Sequence, residues 1–321
     1  MKGQGLEVGN WKLKVRKIPI PCPTSSFQLP KHMKPFEFYS PQTLDEASQI
    51  LADNGADARV LAGGTDLLIR MKRKQWTPRA VVSLRRVPGL RDISLNGELR
   101  LGALVTLNDL IRSPIIREHF PVLAYTASKM AGVQVRSLAT VGGNLCNASP
   151  AADTAPPLIA MDARAVIISK DGERVVPLDE FFIGVGKSAL KPGEMLREIL
   201  VPCLGDSARA SYLKIEHREA MDIAIVGVGV MVRIQNSEFS NQICEDVRIV
   251  LGAVAPTPVR ARKAEEILRG NELTEECIRE AARVAATECN PIDDVRGSAW
   301  YRREMVEVLT RRQLMGNQEV G

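Results

Sequence analysis

Two short strings, Ala62-Gly63-Gly64-Thr65-Asp66 and Thr140-Val141-Gly142-Gly143-Asn144, carry the residue types that suit anion binding: a glycine pair flanked by a hydroxyl and a second polar side chain. Without a Cβ, paired glycines can turn successive backbone N–H groups toward one bound anion and let it approach the main chain. A helix beginning just beyond such a pair adds partial positive charge, and the Thr hydroxyls or the Asn144 amide can donate to phosphate or polyol oxygens. Together the two strings could clasp one diphosphate from two sides, although either string alone is more often an ordinary tight turn. The second string continues to Ser149-Pro150 and Asp153. Ser149-Pro150 has the form of a helix start, which puts Asp153 in the first or second turn. There it serves either as an acid stabilising the helix dipole or as an acceptor for a ligand hydroxyl.

Both strings need elements to hold them. Thr43-Leu44-Asp45-Glu46 reads as a capping box, Ala47, Ile50 and Leu51 follow at helical spacing, and Asn54-Gly55 closes the helix. Arg59-Val60-Leu61-Ala62 reads as a short buried strand delivering the chain into the first glycine pair, with a helix able to begin at Asp66. Residues 80–84 supply another strand, so the opening unit is α/β. A second unit has a strand at 99–102, a helix capped by Thr106, a helix at 121–131, a hairpin about Lys170-Asp171-Gly172, and a strand at 195–201 stopped by Pro202. Residues 203–210 read as a linker. Strands near 212–215, 223–232 and 247–253, then helices at 261–268, 275–288 and 298–313, make the third unit a small sheet covered by helices. Residues 1–32 are basic and proline-rich and read as an arm or tail.

Composition removes several function classes. The net charge of +5 is spread along the chain, and aromatics are only 4% of it, so neither the charge nor the stacking platforms for nucleic acid are present. The six cysteines form no C-x-x-C pair and lack neighbouring histidines, which argues against a metal cluster and for free thiols in a reducing cytoplasm. The longest apolar runs, such as residues 223–232, fall far short of the roughly 20 residues that span a bilayer.

Three strings occur in order: VLAGGTDLLIRMK from Val60, ATVGGNLCNASPAADTAP from Ala139, and PIDDVRGSAWYRREM from Pro291. Together they resemble the flavoprotein family of molybdenum hydroxylases, which includes the medium subunit of carbon monoxide dehydrogenase and the flavin domain of xanthine dehydrogenase. The likeness runs from Met33 to about Leu314. It implies an α+β fold: a two-subdomain FAD-binding unit of the PCMH type at 33–90 and 91–205, then a small α+β C-terminal domain at 206–321 with a three-stranded sheet and helices. It also implies FAD as cofactor, with Leu61, Ala62, Gly63, Gly64, Thr65, Asp66, Thr140, Val141, Gly142, Gly143 and Asn144 cradling the diphosphate and neighbouring groups. Asp153 would hold a hydroxyl or amino group of the cofactor, and Met130, Leu196 and Lys214 align with further flavin contacts. A lysine in a strand is equally a solvated charge.

In a family loop resembled by residues 181–188, a tyrosine often approaches the flavin ring; here Val185 and Gly186 occupy those places. The cysteine-rich insertion of the 4-hydroxybenzoyl-CoA reductase type is absent after the second glycine string, which excludes that subgroup. The resemblance implies a heteromeric, cytoplasmic complex. In it a large subunit carries the molybdenum cofactor, a small subunit carries [2Fe–2S] clusters, and this chain passes electrons through FAD to an external acceptor. No residue here is then required as acid, base or nucleophile toward the organic substrate. Two competing readings are a flavin-free structural or assembly subunit and a nicotinamide dehydrogenase built on Gly227-Val228-Gly229. The latter lacks the third fingerprint glycine and reads as a buried strand.

Removing residues 1–32 is expected to leave flavin content intact, because they offer no core-forming pattern. A truncated full-yield chain that emerges without flavin would contradict this.

Overall fold

A computed structural model of the chain describes residues 33–218, 221–236 and 242–316; the expected arm at 1–32 lies outside them. In the first unit β1 (Glu37–Tyr39), β2 (Ala58–Leu61) and β3 (Ala80–Ser83) form a parallel sheet in the order β1-β3-β2. Parallel neighbours need crossovers, and α1 (Leu44–Asn54) and α2 (Leu67–Lys72) supply them. Thr43 caps α1 by accepting from the Glu46 N–H, and Gly55 ends it at φ 50°. The Glu46 carboxylate reaches back one residue further than a standard box, to the Gln42 N–H at 2.8 Å. The first glycine string leaves the C-terminal end of β2, the end of a parallel sheet where ligands bind.

The second unit is an antiparallel sheet of β4 (Ile93–Asn96), β5 (Glu98–Gly102), β6 (Arg164–Ser169), β7 (Gly172–Pro177) and β10 (Met195–Pro202), ordered β4-β5-β10-β6-β7. A small hairpin, β8 (Phe182–Gly184) and β9 (Lys187–Ser188), stands apart from it. The helices are α3 (Leu107–Arg112), α4 (Pro114–His119), α5 (Pro121–Ser128), α6 (Val133–Arg136), α7 (Val141–Asn147) and α8 (Ala155–Ala160). They bury Phe120, Leu123, Leu145 and Leu158 with Leu99, Leu101, Ile167 and Ile199 of the strands in one core. The first two units are fused: Leu51 and Val82 share a buried cluster with Leu104, Ile168 and Met195.

In the third unit β11 (Ala208–Ile215), β12 (Val226–Asn236), β13 (Gln242–Gly252) and β14 (Val259–Arg260) form one antiparallel sheet. The expected three strands thus gain a fourth of two residues, too short for alternation to announce. The linker is also shorter than expected, because β11 already pairs with β12 from Ala208. Helices α9 (Arg262–Leu268), α10 (Glu275–Thr287) and α11 (Ala299–Gly316) cover the sheet. The PIDDVRGSAWYRREM string is a clamp: buried Arg302 donates to Ile225 O (2.7 Å), Ala253 O (2.8 Å) and Asp294 Oδ1 (2.7 Å), tying α11 to two strand ends.

One expectation is corrected here. No helix starts at Ser149-Pro150; residues 148–154 form turns, and α8 begins at Ala155. Pro156 and Pro157 have no N–H to give, so they are tolerated only in a first turn, and that puts the helix start just before them. Asp153 therefore precedes the helix. Gly227-Val228-Gly229 lies in β12, as the buried strand expected. A Cβ on Gly229 would lie 2.7 Å from the Pro156 carbonyl carbon, so this glycine permits α8 to touch β12 and has no phosphate-loop role.

Gly229→Val is expected to destabilise the chain by about 3 kcal/mol, since neither the Pro156 backbone nor the sheet can yield cheaply. Urea unfolding of the variant against the parent checks it, and an unchanged midpoint would contradict the packing.

A candidate cofactor cleft between the glycine strings

A cavity of about 890 Å³ opens between the C-terminal end of β2, the first turns of α7, the β8–β9 hairpin and residues 191–196. That volume suits a large cofactor. Ala62, Gly63, Gly64, Thr65, Asp66, Met130, Thr140, Gly142, Gly143, Asn144 and Leu196 line it. Leu61, Val141, Asp153 and Lys214 do not; Val141 is buried in the core beneath, and Leu61 packs beside Leu67 and Met71.

The two strings do different work. The N–H groups of Gly63, Gly64, Thr65 and Asp66 find no acceptor among the described residues. Gly64 sits at φ 76°, and a Cβ on Gly63 would lie 1.9 Å from Leu138 O, so both glycines are required for this backbone course. The result is a row of four main-chain donors, on half-buried residues 63–65 and on exposed Asp66, along the cavity lining.

The second string is the first turn of a helix, not a loop preceding one. From Val141 on, its N–H groups are engaged: Val141 to Val105 O (2.9 Å), Gly142 to Ala103 O (3.1 Å), Gly143 to the capping Thr140 Oγ1 (2.9 Å) and Asn144 to Thr140 O (2.9 Å). This corrects the expectation of a backbone clasp from two sides. Gly142 is glycine because a Cβ would meet Ala103 O at 2.6 Å. What α7 offers the cavity is side chains, the Thr140 hydroxyl and the amides of Asn144 and Asn147 one turn apart. Asn144 Oδ1 accepts from Thr154 Oγ1 at 2.6 Å, and Asn147 Oδ1 accepts from Arg70 at 2.9 Å. Sequence reasoning missed Asn147. Its spacing of three from Asn144 becomes a signal only once the helix is known to start at Val141.

The hairpin also departs from expectation. Val185 points to solvent, whereas Ile183, 65% exposed, lines the cavity mouth. Arg59, Lys187 and Lys191 add positive charge to the lining, and Arg174 neutralises Glu194 with bonds of 2.8 and 2.7 Å. That contact holds the Glu194 carboxyl below its usual range. Burial pushes the Cys146 thiol up to about 12, so it stays protonated against the cavity. Main-chain donors, amide donors and cations, together with apolar walls of Leu51, Leu84, Met130, Val135 and Leu196, fit a dinucleotide carrying a diphosphate and planar rings.

Asp153 and Lys214 meet behind the wall instead. Lys214 Nζ lies 3.4 Å from Asp153 Oδ2 and 2.9 Å from Glu216 Oε2, with side-chain exposures of 4%, 8% and 12% for Lys214, Asp153 and Glu216. Tyr212 donates to Asp153 Oδ1 at 2.6 Å. Burial pushes the Asp153 carboxyl above its usual range, opposed by the Lys214 charge. Burial and the same carboxylate push Tyr212 well above its own. Lys214 further donates to Lys129 O at 3.0 Å, and Arg136 to Met130 O at 2.8 Å. The Met130 wall is thus fixed from behind by two cations, one of them on the C-terminal sheet.

Two family models match the chain: "FAD binding domain in molybdopterin dehydrogenase" over residues 34–204 and "CO dehydrogenase flavoprotein C-terminal domain" over 211–316. The carbon monoxide dehydrogenase medium chain of Hydrogenophaga pseudoflava is 35% identical, covering 87% of this chain and 96% of its own. A putative xanthine dehydrogenase FAD-binding subunit of Escherichia coli (strain K12) is 34% identical, covering 86% and 93%. Among solved structures, carbon monoxide dehydrogenase from H. pseudoflava superimposes with a TM-score of 0.82 at 35% identity, over 86% of this chain and 95% of that one. Quinoline 2-oxidoreductase from Pseudomonas putida 86 does so with 0.83 at 28% identity, over 90% and 99%.

Lys214→Met is expected to destabilise the chain by about 3 kcal/mol at neutral pH, because it strands two buried carboxylates. In the variant the Asp153 carboxyl, already pushed up by burial, loses the charge that opposes this shift, and the stability a raised carboxyl contributes is present at low pH and lost as pH rises. The deficit should therefore be smaller at pH 5 than at pH 8. Paired unfolding curves at the two pH values check it, and a deficit that does not change with pH would contradict the buried triad.

Proposed function

The chain belongs to the flavoprotein family of FAD-binding medium subunits of molybdenum hydroxylases, and from that membership we propose that it binds FAD in this cleft. We further infer that it carries electrons from the [2Fe–2S] clusters of a small partner subunit to an external acceptor. A large partner subunit with the molybdenum cofactor would oxidise the substrate. The observation that carries the reading is the row of four unclaimed N–H groups at residues 63–66, opening on a cavity with cationic and amide donors and apolar walls.

When bound, FAD supplies the exchange between one-electron and two-electron carriers. The chain's own part is binding and orientation. The donors at 63–66 hold the diphosphate, with the side chains of Thr140, Asn144 and Asn147 donating from α7. Met130 and Leu196 exclude water from the ring systems, and Ile183 sits at the mouth. On this reading no side chain of the cleft is required as a proton donor or nucleophile toward an organic substrate. The relatives are named for compounds as unlike as carbon monoxide, xanthine and quinoline, which supports substrate choice lying in the large subunit. No helix among the described residues is long and apolar enough to cross a membrane; a cytoplasmic complex is the location we propose.

The competing reading is a structural subunit of the same fold without flavin. The purified full-length chain is expected to be yellow and to release FAD stoichiometrically on denaturation, and a colourless, folded chain that takes up no added FAD would favour the structural subunit. Organic substrate should bleach that flavin only when the molybdenum and iron–sulfur subunits are present. Bleaching of the chain alone would overturn the division of labour.

A further inference from the structure

Arg70 stands behind the cleft and not in it. Its guanidinium carbon lies 4.4 Å from the centroid of the Trp76 ring, within cation–π range, and Arg59 reaches the same ring at 5.5 Å. One guanidinium nitrogen donates to Asn147 Oδ1 at 2.9 Å, joining α2 to α7 across 77 residues of sequence. The contact settles the orientation of the Asn147 side chain. A guanidinium has only donors, so the amide atom facing it must be the oxygen, and the NH2 is turned the other way. On that side lie Asp66 Oδ1, 3.4 Å from Asn147 Nδ2, and the cavity that both residues line. An NH2 carries two hydrogens and Asp66 takes one of them at long range, which leaves a donor for the cleft. Stacking restricts the arginine, the arginine restricts the amide, and the amide ties the first glycine string to the second.

We propose that Arg70 is a positioning residue for flavin-nucleotide binding: stacked on Trp76, it holds the Asn147 carboxamide so that its NH2 donates to an oxygen of FAD beside the main-chain donors of residues 63–66. This rests on the FAD-binding reading above. Nothing about Arg70 in the sequence distinguishes it from a solvated helix charge; the contact with Asn147 does.

The test uses the full-length chain stripped of flavin, with FAD affinity from fluorescence titration and a thermal melt of each apo form. Asn147→Asp keeps an oxygen for Arg70, and strengthens that contact, but removes the NH2. It should melt within a few degrees of the parent and bind FAD roughly 10-fold or more weakly, the loss of one hydrogen bond to a charged or polar acceptor. Arg70→Met should weaken FAD binding to a similar degree in the parent but have little further effect in Asn147→Leu, because its influence passes through that amide. Arg70→Lys keeps the charge without the planar fork and should restore only part of the affinity. Parent-like FAD affinity in Asn147→Asp, or an Arg70→Met effect that persists undiminished in Asn147→Leu, would overturn the proposal while leaving FAD binding intact. A parent chain that takes up no FAD would overturn both.

Discussion

The four backbone N–H groups at residues 63–66 find no acceptor among the described residues and lie on a stretch that lines a cavity, where water or a ligand must satisfy them. Much of the surrounding structure exists to keep them in that condition. Gly63 runs against Leu138 O so closely that no side chain fits, Gly64 adopts a left-handed backbone, and α2 starts immediately beyond, fixing the string at its far end. A bound diphosphate supplies the missing acceptors. Bringing it in does not require the protein to break bonds of its own, which is the sense in which the cleft is preorganised.

The wall opposite is held by longer-range packing. Leu104, Ile168 and Met195 of the antiparallel sheet share a buried cluster with the parallel unit, so the two halves of the cleft are set by one core. The C-terminal sheet contributes from a distance, through α8 pressed against Gly229 and through Lys214 on the Lys129 carbonyl. A change in that third unit can therefore reach the Met130 wall without touching a ligand. The buried charges at Asp153, Lys214 and Glu216 make this junction sensitive, because each depends on the others for its counter-charge.

The sequence made the first glycine string legible as a site because its requirement is local: a strand, two glycines, then a helix. The second misled because seven residues with two glycines do not look helical, glycine being a poor helix former. The Thr140 hydroxyl is both the cap of α7 and part of the cavity lining, and a hydroxyl beside two glycines signals the second role more readily than the first. Pro156 and Pro157 similarly fix where α8 starts, yet Ser149-Pro150 offered a nearer and more familiar start signal. The partners of Asp153 and Lys214 lay beyond reach altogether, since a contact across 61 residues leaves no spacing to read. Asn147 and Arg70 are hidden for the same reason.

The central claim is that main-chain donors of the first string, and not those of the second, hold the diphosphate. Amide hydrogen exchange of the full-length chain, with and without FAD, reads those groups directly. Exchange at residues 63–66 should slow by roughly 10-fold or more when FAD is bound, as open donors gain acceptors, while Gly142 and Gly143, already bonded, should change far less. A flavin-loaded chain whose residues 63–66 exchange as fast as those of the stripped protein would contradict the account.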